Sequence, residues 1–320
     1  MKIKLIKNRS DIGAGTRGSD LGIDAIEIAA INASNDYFNR HLYEDVETHN
    51  ETIYNKNTND FAKRIEHVFE QCERVATSVQ KNLQENYFPI VLSGDHSSAL
   101  GTISGIKAAY PNKKLGVVWI DAHADIHSPY TSPSGNIHGM PLAAALGIDN
   151  LDSQINEPSP ETLRFWNKLK NIGIPQSKID PSHLIYFGIR DYEAAEQAII
   201  NKLGIQYYTV EQVRSSTIPT CIQETINKLQ TCDLLYISFD VDSMDCDRIS
   251  YGTGTPVPSG LYPEEIMQII DLLILSKKVK CVEFTEINPL LDNKGNKMAE
   301  TAFTVLDHIS QAIEKSKSEE

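Results

Sequence analysis

Histidine and aspartate recur in three short motifs of this 320-residue chain, at spacings suited to holding metal ions. The motifs are Ser93-Gly94-Asp95-His96-Ser97, Asp121-Ala122-His123-Ala124-Asp125-Ile126-His127 and Asp240-Val241-Asp242. In an extended segment, residues 121, 123 and 125 point the same way. Any one motif alone reads more readily as a solvated turn, and a lone histidine is more often structural. Taken together, they would bury unpaired carboxylates at three separate places, a cost that a metal relieves. His96, Asp121, His123, Asp125, Asp240 and Asp242 are therefore the expected metal ligands. Four carboxylates exceed what one divalent ion gathers, and shared carboxylates suit two ions about 3.5–4 Å apart. Oxygen-rich ligation with only two imidazoles favours Mn2+ over Zn2+, and Co2+ or Ni2+ would also fit.

Further residues flank this set. Ser134-Gly135-Asn136-Ile137-His138-Gly139-Met140-Pro141 places His138 in a Gly-rich loop, either facing the metals without ligating them or making turn hydrogen bonds. Glu283 and Glu286 close an apolar run in Val282-Glu283-Phe284-Thr285-Glu286-Ile287-Asn288-Pro289, and Glu286 reads as a substrate-binding carboxylate or as a cap. Gly252-Thr253-Gly254-Thr255-Pro256 lacks the G-K-[ST] of a phosphate loop and by itself is a tight turn. The remaining histidines, 41, 49, 67, 183 and 308, show no acidic partner pattern and read as surface or structural.

The elements that must position these residues are visible as short apolar runs ending in the motifs: 88–92, 115–120, 184–189, 234–239 and 279–284. Continuous apolarity over a strand's length is expected of parallel strands buried on both faces. Segments 61–84, 194–203 and 263–276 carry apolar residues at helical spacing. Strand followed by helix, repeated, predicts a doubly wound α/β sheet, whose carboxyl edge is where ligands bind. With no repeat and no linker, a single domain over 1–320 is expected, with 44–60 and 149–181 as surface excursions and 314–320 as a frayed tail.

Composition agrees, with 41% hydrophobic and 23% charged residues, as in ordinary globular proteins. The net charge of −13 disfavours nucleic acid or anionic membrane as partner. Five cysteines without a C-x-x-C read as reduced thiols. The start, MKIKLIKNRSD, has no long apolar stretch, and the expected location is cytoplasmic.

In order, Ser93–Ser97, Trp119–Asp125, Gly135–Gly139, Ser238–Asp242 and Glu286–Pro289 resemble the signature segments of the ureohydrolases, the arginase and agmatinase family, over about residues 88 to 305. The resemblance implies one α/β domain with a mainly parallel eight-stranded sheet, assembled as a homo-oligomer, usually a trimer or hexamer. It implies one Mn2+ on His96, Asp121, Asp125 and Asp240 and a second on His123, Asp121, Asp240 and Asp242, with Asp121 and Asp240 bridging. His138 resembles the family's proton shuttle, Glu286 the carboxylate that grips the guanidinium, and Thr255 a substrate-side threonine. A guanidinium is a permanently charged, poor electrophile. Two cations answer this by lowering the pKa of a shared water and holding the hydroxide that attacks.

Within the family, the loop Thr131–Leu142 resembles that of arginases, in which Ser134 and Asn136 reach the substrate α-carboxylate. Arg190-Asp191-Tyr192-Glu193-Ala194-Ala195-Glu196 resembles the arginase stretch that contacts the α-amino group, through Asp191, Glu193 or Glu196. Both point to L-arginine, a small cationic guanidino substrate. Two departures stand out: His127 where arginases usually have Asn, and Glu193 where they have Asp. They leave agmatine, guanidinobutyrate or formimidoylglutamate as alternatives, with His127 at the carboxylate end. Tyr262-Pro263-Glu264 replaces a Tyr-Arg-Glu of some animal arginases, so the trimer contact made by that Arg is not implied. A histone-deacetylase-like amide hydrolase would need one Zn2+, and a non-catalytic relative would have lost a ligand; the complete set argues against both.

Overall fold

The computed structural model describes residues 2–57, 59–175 and 177–318. Eight strands form one wholly parallel sheet: β1 Lys2–Asn8, β2 Leu42–Asp45, β3 Tyr87–Ser93, β4 Leu115–Ile120, β5 Leu184–Phe187, β6 Gln206–Tyr208, β7 Leu234–Asp240 and β8 Val279–Thr285. Their order across the sheet is β2-β1-β3-β8-β7-β4-β5-β6, so the chain jumps from β3 to β4 and later fills the gap with β7 and β8. The five apolar runs of the sequence are β3, β4, β5, β7 and β8, and they are neighbours.

Alternation along these strands feeds two cores. Ile90, Val118, Ile237 and Val282 face one side with the helices Gly22–Asn32, Pro263–Ile274 and Lys297–Ser318. Val91, Val117, Trp119 and Tyr236 face the other, with the helices Ile65–Gln84, Ala99–Ala109 and Pro160–Lys170. Among the described residues, no helix is long and apolar enough to cross a membrane.

Element ends follow local chemistry. Ala194–Leu203 runs as its periodicity predicts, opened by Glu196, whose carboxylate accepts from the Glu193 N–H at 3.1 Å, and closed by Gly204 at φ 63. The helix expected from residue 61 begins instead at Ile65. Arg64 takes φ 56, which lets its guanidinium donate back to the carbonyls of Ile12 and Ala14.

Three strands carry no apolar run. Polar residues interrupt β1, yet Lys4 pairs with Glu44 at 2.8 Å and Lys7 with Glu27 at 2.8 Å. The segment 44–60, expected as a surface excursion, thus begins inside β2. The excursion 149–181 contains the helix Pro160–Lys170, which buries Trp166. The tail expected to fray from 314 instead continues the last helix to Ser318, with Glu314 lying 3.2 Å from His41; residues 319–320 fall outside the described residues.

The register aligns the carboxyl ends. Ile120 lies beside Phe239 and Phe187, Asp240 beside Thr285, and Leu92 beside Phe284. All the chemical motifs therefore leave the sheet at one edge. His96 comes off β3 just before the helix Ala99–Ala109, which presses on Ile65–Gln84 through glycines: a Cβ on Gly105 would lie 2.5 Å from the Ala76 carbonyl oxygen. Gly105→Val should force the two helices apart and cost about 1–3 kcal/mol. A melting temperature equal to that of the parent would show that the pair has slack.

Candidate metal centre

The ends of β3, β7 and β4 bring six expected ligands together. His96 Nδ1 lies 3.1 Å from Asp121 Oδ2, 3.0 Å from Asp125 Oδ2 and 3.1 Å from Asp240 Oδ2. None of these contacts has hydrogen-bond geometry, and the buried Nδ1 is left without a partner. The ring's other nitrogen, Nε2, is 2.7 Å from Ser238 Oγ. Three carboxylate oxygens around an unpartnered imidazole nitrogen is the donor arrangement of a cation site. His123 Nδ1 sits in a second group, 3.0 Å from Asp242 Oδ2 and 3.5 Å from Asp121 Oδ1. Asp121 thus turns one oxygen to each group. Asp240 turns Oδ2 to the first, while its Oδ1 accepts from the Asp242 N–H at 2.8 Å, so among the expected bridges only Asp121 faces both histidines.

The electrostatics fit cations. Burial raises Asp240 well above the ordinary carboxylate range, with Asp242 and Asp121 adding to it. Burial and then Asp121 push Asp125 up to about 6. Burial alone would lower His96 and His123, but the surrounding carboxylates more than offset it and hold both well above the usual imidazole range. This much buried negative charge is costly unless positive charge is supplied, and the residues present fit a pair of divalent ions.

Glu286 overhangs the group. Its N–H donates to the Gly94 carbonyl, and its Oε1 accepts from the His96 N–H and pairs with His138 Nδ1, both at 3.0 Å. Its Oε2 is buried without a partner. Against the lowering effect of burial, this contact pushes His138 up to about 9. Asp125 at φ 49 and Glu286 at φ 66 are both left-handed without being glycine, a strain of about 1–3 kcal/mol each that surrounding structure must hold in place.

A cleft of ≈ 300 Å³ opens above, lined by His123, Asp125, Asp240, Asp242, His138 and Glu286 at its floor and by residues of the 131–142 and 190–196 segments higher up. The Arginase family profile matches residues 2–310 of this chain. The chain belongs to the arginase family. It is 33% identical over 309 residues to the arginase of Bacillus subtilis strain 168, covering 96% of this chain and 97% of that protein. The native structure of Bacillus caldovelox arginase at pH 5.6 superposes with a TM-score of 0.83 at 32% identity, over 97% of this chain and 98% of that one. Entamoeba histolytica arginase in complex with L-ornithine gives 0.81 at 29% identity, over 98% of each chain. This is an arginase-type ureohydrolase, an enzyme acting on a guanidino C–N bond.

In this arginase-family cleft the structure brings every expected substrate-side residue to the wall: His127, Ser134, Asn136, Asp191, Glu193, Glu196 and Thr255. His127 is buried, its Nδ1 3.0 Å from Thr131 Oγ1 and its Nε2 3.0 Å from Glu193 Oε2. The imidazole holds Glu193 down to about 2, while burial and Glu193 raise Glu196 well above its usual value. Thr255 Oγ1 donates to Asp242 Oδ2 at 3.0 Å. Arg190 stitches this wall together, donating to the carbonyls of Gly188, Asp242 and Val257. Glu283 is no part of the cleft. It is fully buried and accepts from Ser93 and Tyr236, at 2.7 and 2.6 Å.

Other histidines do have acidic neighbours, contrary to their sequence pattern: His308 lies 2.7 Å from Asp271 and His41 3.2 Å from Glu314, both partners distant in sequence. Two residues that support the centre also went unrecognised. Trp119 stacks on His96 at 4.0 Å and donates Nε1–H to Asp121 Oδ2 at 2.9 Å. Ser238 meets His96 Nε2. Each lies two positions before a ligand on its own strand, so strand alternation is the signal that points to both.

Trp119→Phe preserves an aromatic face but deletes the donor that orients Asp121. Metal affinity should fall about 10- to 100-fold, as removal of such supporting bonds typically does, with the far-ultraviolet spectrum unchanged. Competition against a chromogenic chelator reads this directly, and parent-like affinity would sink the orienting role.

Proposed function

We propose that this chain hydrolyses L-arginine to L-ornithine and urea with two Mn2+ ions, Co2+ or Ni2+ being substitutes. The observation that carries the reading is Glu286 Oε2, a buried carboxylate oxygen without a hydrogen-bond partner, on a residue that lines the cleft together with Asp125, Asp240, Asp242 and His123. Paired ions on His96, Asp121, Asp125 and Asp240, and on His123, Asp121, Asp240 and Asp242, would supply the nucleophile by acidifying a shared water. The chain's own residues do the rest. Glu286 Oε2 grips the guanidinium, while its Oε1, pinned by the His96 N–H and His138 Nδ1, keeps that oxygen aimed. Asp125, whose Oδ2 lies 3.0 Å from His96 Nδ1 within the ligand group, accepts the proton released on attack. His138, held by Glu286 at about 9, carries a proton at neutral pH and delivers it to the leaving amine through Nε2.

At the far end, Ser134 and Asn136 meet the α-carboxylate, with Asp191, Glu193 or Glu196 at the α-ammonium. The 33% identity to Bacillus subtilis arginase over nearly the whole of both chains supports arginine. One observation favours a second reading. His127 and Glu193 already satisfy each other at 3.0 Å, at the end of the cleft where an amino-acid head would bind. A sister ureohydrolase for agmatine, guanidinobutyrate, another guanidino acid or formimidoylglutamate would suit such a closed pair.

Chelation should abolish urea release, and Mn2+ should restore it. Glu286→Gln keeps the shape but removes the charge opposite a buried cation, a loss of about 3–5 kcal/mol. Its kcat/KM should drop at least about 100-fold with metal content unchanged; near-native turnover would remove Glu286 from substrate binding. On a panel of guanidino and formimino compounds, L-arginine should exceed agmatine by roughly 100-fold or more in kcat/KM, and Asn136→Ala should narrow that gap. Equal or higher values for agmatine or guanidinobutyrate would move the assignment to the sister enzyme.

A further inference from the structure

The Ser10–Gly18 loop follows β1 and contributes no side chain to the lining of the cleft, yet it is fastened from two sides. Buried Asp95, the residue before His96, accepts from the Gly13 N–H through Oδ2 at 2.9 Å and from the Ser97 N–H through Oδ1 at 2.8 Å. Arg64 donates Nε–H to the Ile12 carbonyl at 2.7 Å and from its other arm to the Ala14 carbonyl at 3.2 Å. The Asp95 N–H donates to the Ser10 carbonyl at 3.0 Å, and the Gly18 N–H donates to Asp11 at 2.8 Å. A segment with this many cross-links is a rigid strut.

The strut touches two cleft residues. The Gly13 carbonyl accepts from the His138 N–H at 3.1 Å, which fixes the backbone of the histidine paired with Glu286. Gly15 lies flat against the side chain of Asn136: a Cβ there would stand 2.5 Å from the amide Nδ2, 3.4 Å from Cγ and 3.8 Å from Oδ1, its three nearest neighbours. Asn136 has little else to hold its side chain, since its Oδ1 is buried without a partner. The missing side chain of Gly15 therefore leaves the Asn136 amide its place. Gly15 has no left-handed φ, so alanine suits its backbone, and the closest approach of a methyl group is to Asn136.

We propose that the Ser10–Gly18 loop is a positioning element for the substrate's amino-acid end, and that Gly15 is the specificity-determining residue through which it sets Asn136. This rests on the reading that Asn136 meets the α-carboxylate. The loop acts only through Asn136 and His138, so a displaced amide costs affinity for substrates that carry the carboxylate and leaves decarboxylated ones alone.

The test is a double-mutant cycle on the Mn2+-loaded enzyme, comparing Gly15→Ala, Asn136→Ala and the pair, with L-arginine and agmatine as substrates. Gly15→Ala should raise the KM for arginine about 5- to 20-fold, the scale of one lost or bent hydrogen bond. Its kcat, metal content, melting temperature and kcat/KM for agmatine should stay at parent values. In the Asn136→Ala background, Gly15→Ala should have no further effect, because the atom it displaces is gone. An equal loss for both substrates, or a Gly15→Ala penalty that persists without the Asn136 amide, would mean general loop disruption and overturn the proposal. If Asn136→Ala raises the arginine KM and Gly15→Ala does not, the strut idea fails and the carboxylate reading stands. If Asn136→Ala itself leaves the arginine KM unchanged, the carboxylate reading fails, and this inference with it.

Discussion

The buried negative charge at one edge of the sheet is the constraint on which the rest of the structure depends. Asp121, Asp125, Asp240 and Asp242 are each close to fully buried, and their oxygens crowd around two imidazoles. Left to themselves, carboxylates at this spacing repel and lose hydration, a penalty of several kcal/mol per ion even after relaxation. Among the described residues, no lysine or arginine forms an ion pair with them, and Arg190, in the same wall, is spent on backbone carbonyls. The fold therefore stores a demand for positive charge, which metal ions would meet and which, in the function proposed, extends upward to a cationic substrate under Glu286.

Holding that charge in place explains features that would otherwise look like waste. Asp125 and Glu286 both occupy the left-handed region, and each is pinned by a backbone bond: the Leu142 N–H donates to the Asp125 carbonyl, and the Glu286 N–H donates to the carbonyl of Gly94. Trp119, Ser238 and Thr131 contribute no ligand of their own, yet they fix the orientations of His96, Asp121 and His127. Rigid strand ends, strained turns and buried supporting donors together make a preorganised site, in which geometry is set before substrate arrives.

Much of this was legible in the sequence because chemistry and periodicity coincide in it. Strands buried on both faces must read as unbroken apolar runs, so β3, β4, β5, β7 and β8 declared themselves, and the motifs at their carboxyl ends named all six metal-ligand candidates. β1, β2 and β6 stayed hidden for a reason. Lys4 and Lys7 sit within β1 but find Glu44 and Glu27 from elements distant in sequence, and β6 has three residues. The strand order, which places the motifs on adjacent strand ends, depends on pairings that local pattern does not encode. So do the Glu193–His127 contact, whose two members stood out singly but not as a pair, and the His308–Asp271 pair.

The central claim is that the acidic cluster is a two-cation centre. A crystal structure of the Mn2+-loaded protein, with diffraction collected on either side of the manganese absorption edge, tests it most directly. The account predicts two anomalous peaks about 3.5–4 Å apart, one against His96 and Asp125, the other against His123 and Asp242, with Asp121 reaching both. A single peak in a fully active crystal, or two peaks away from Asp121, would contradict it.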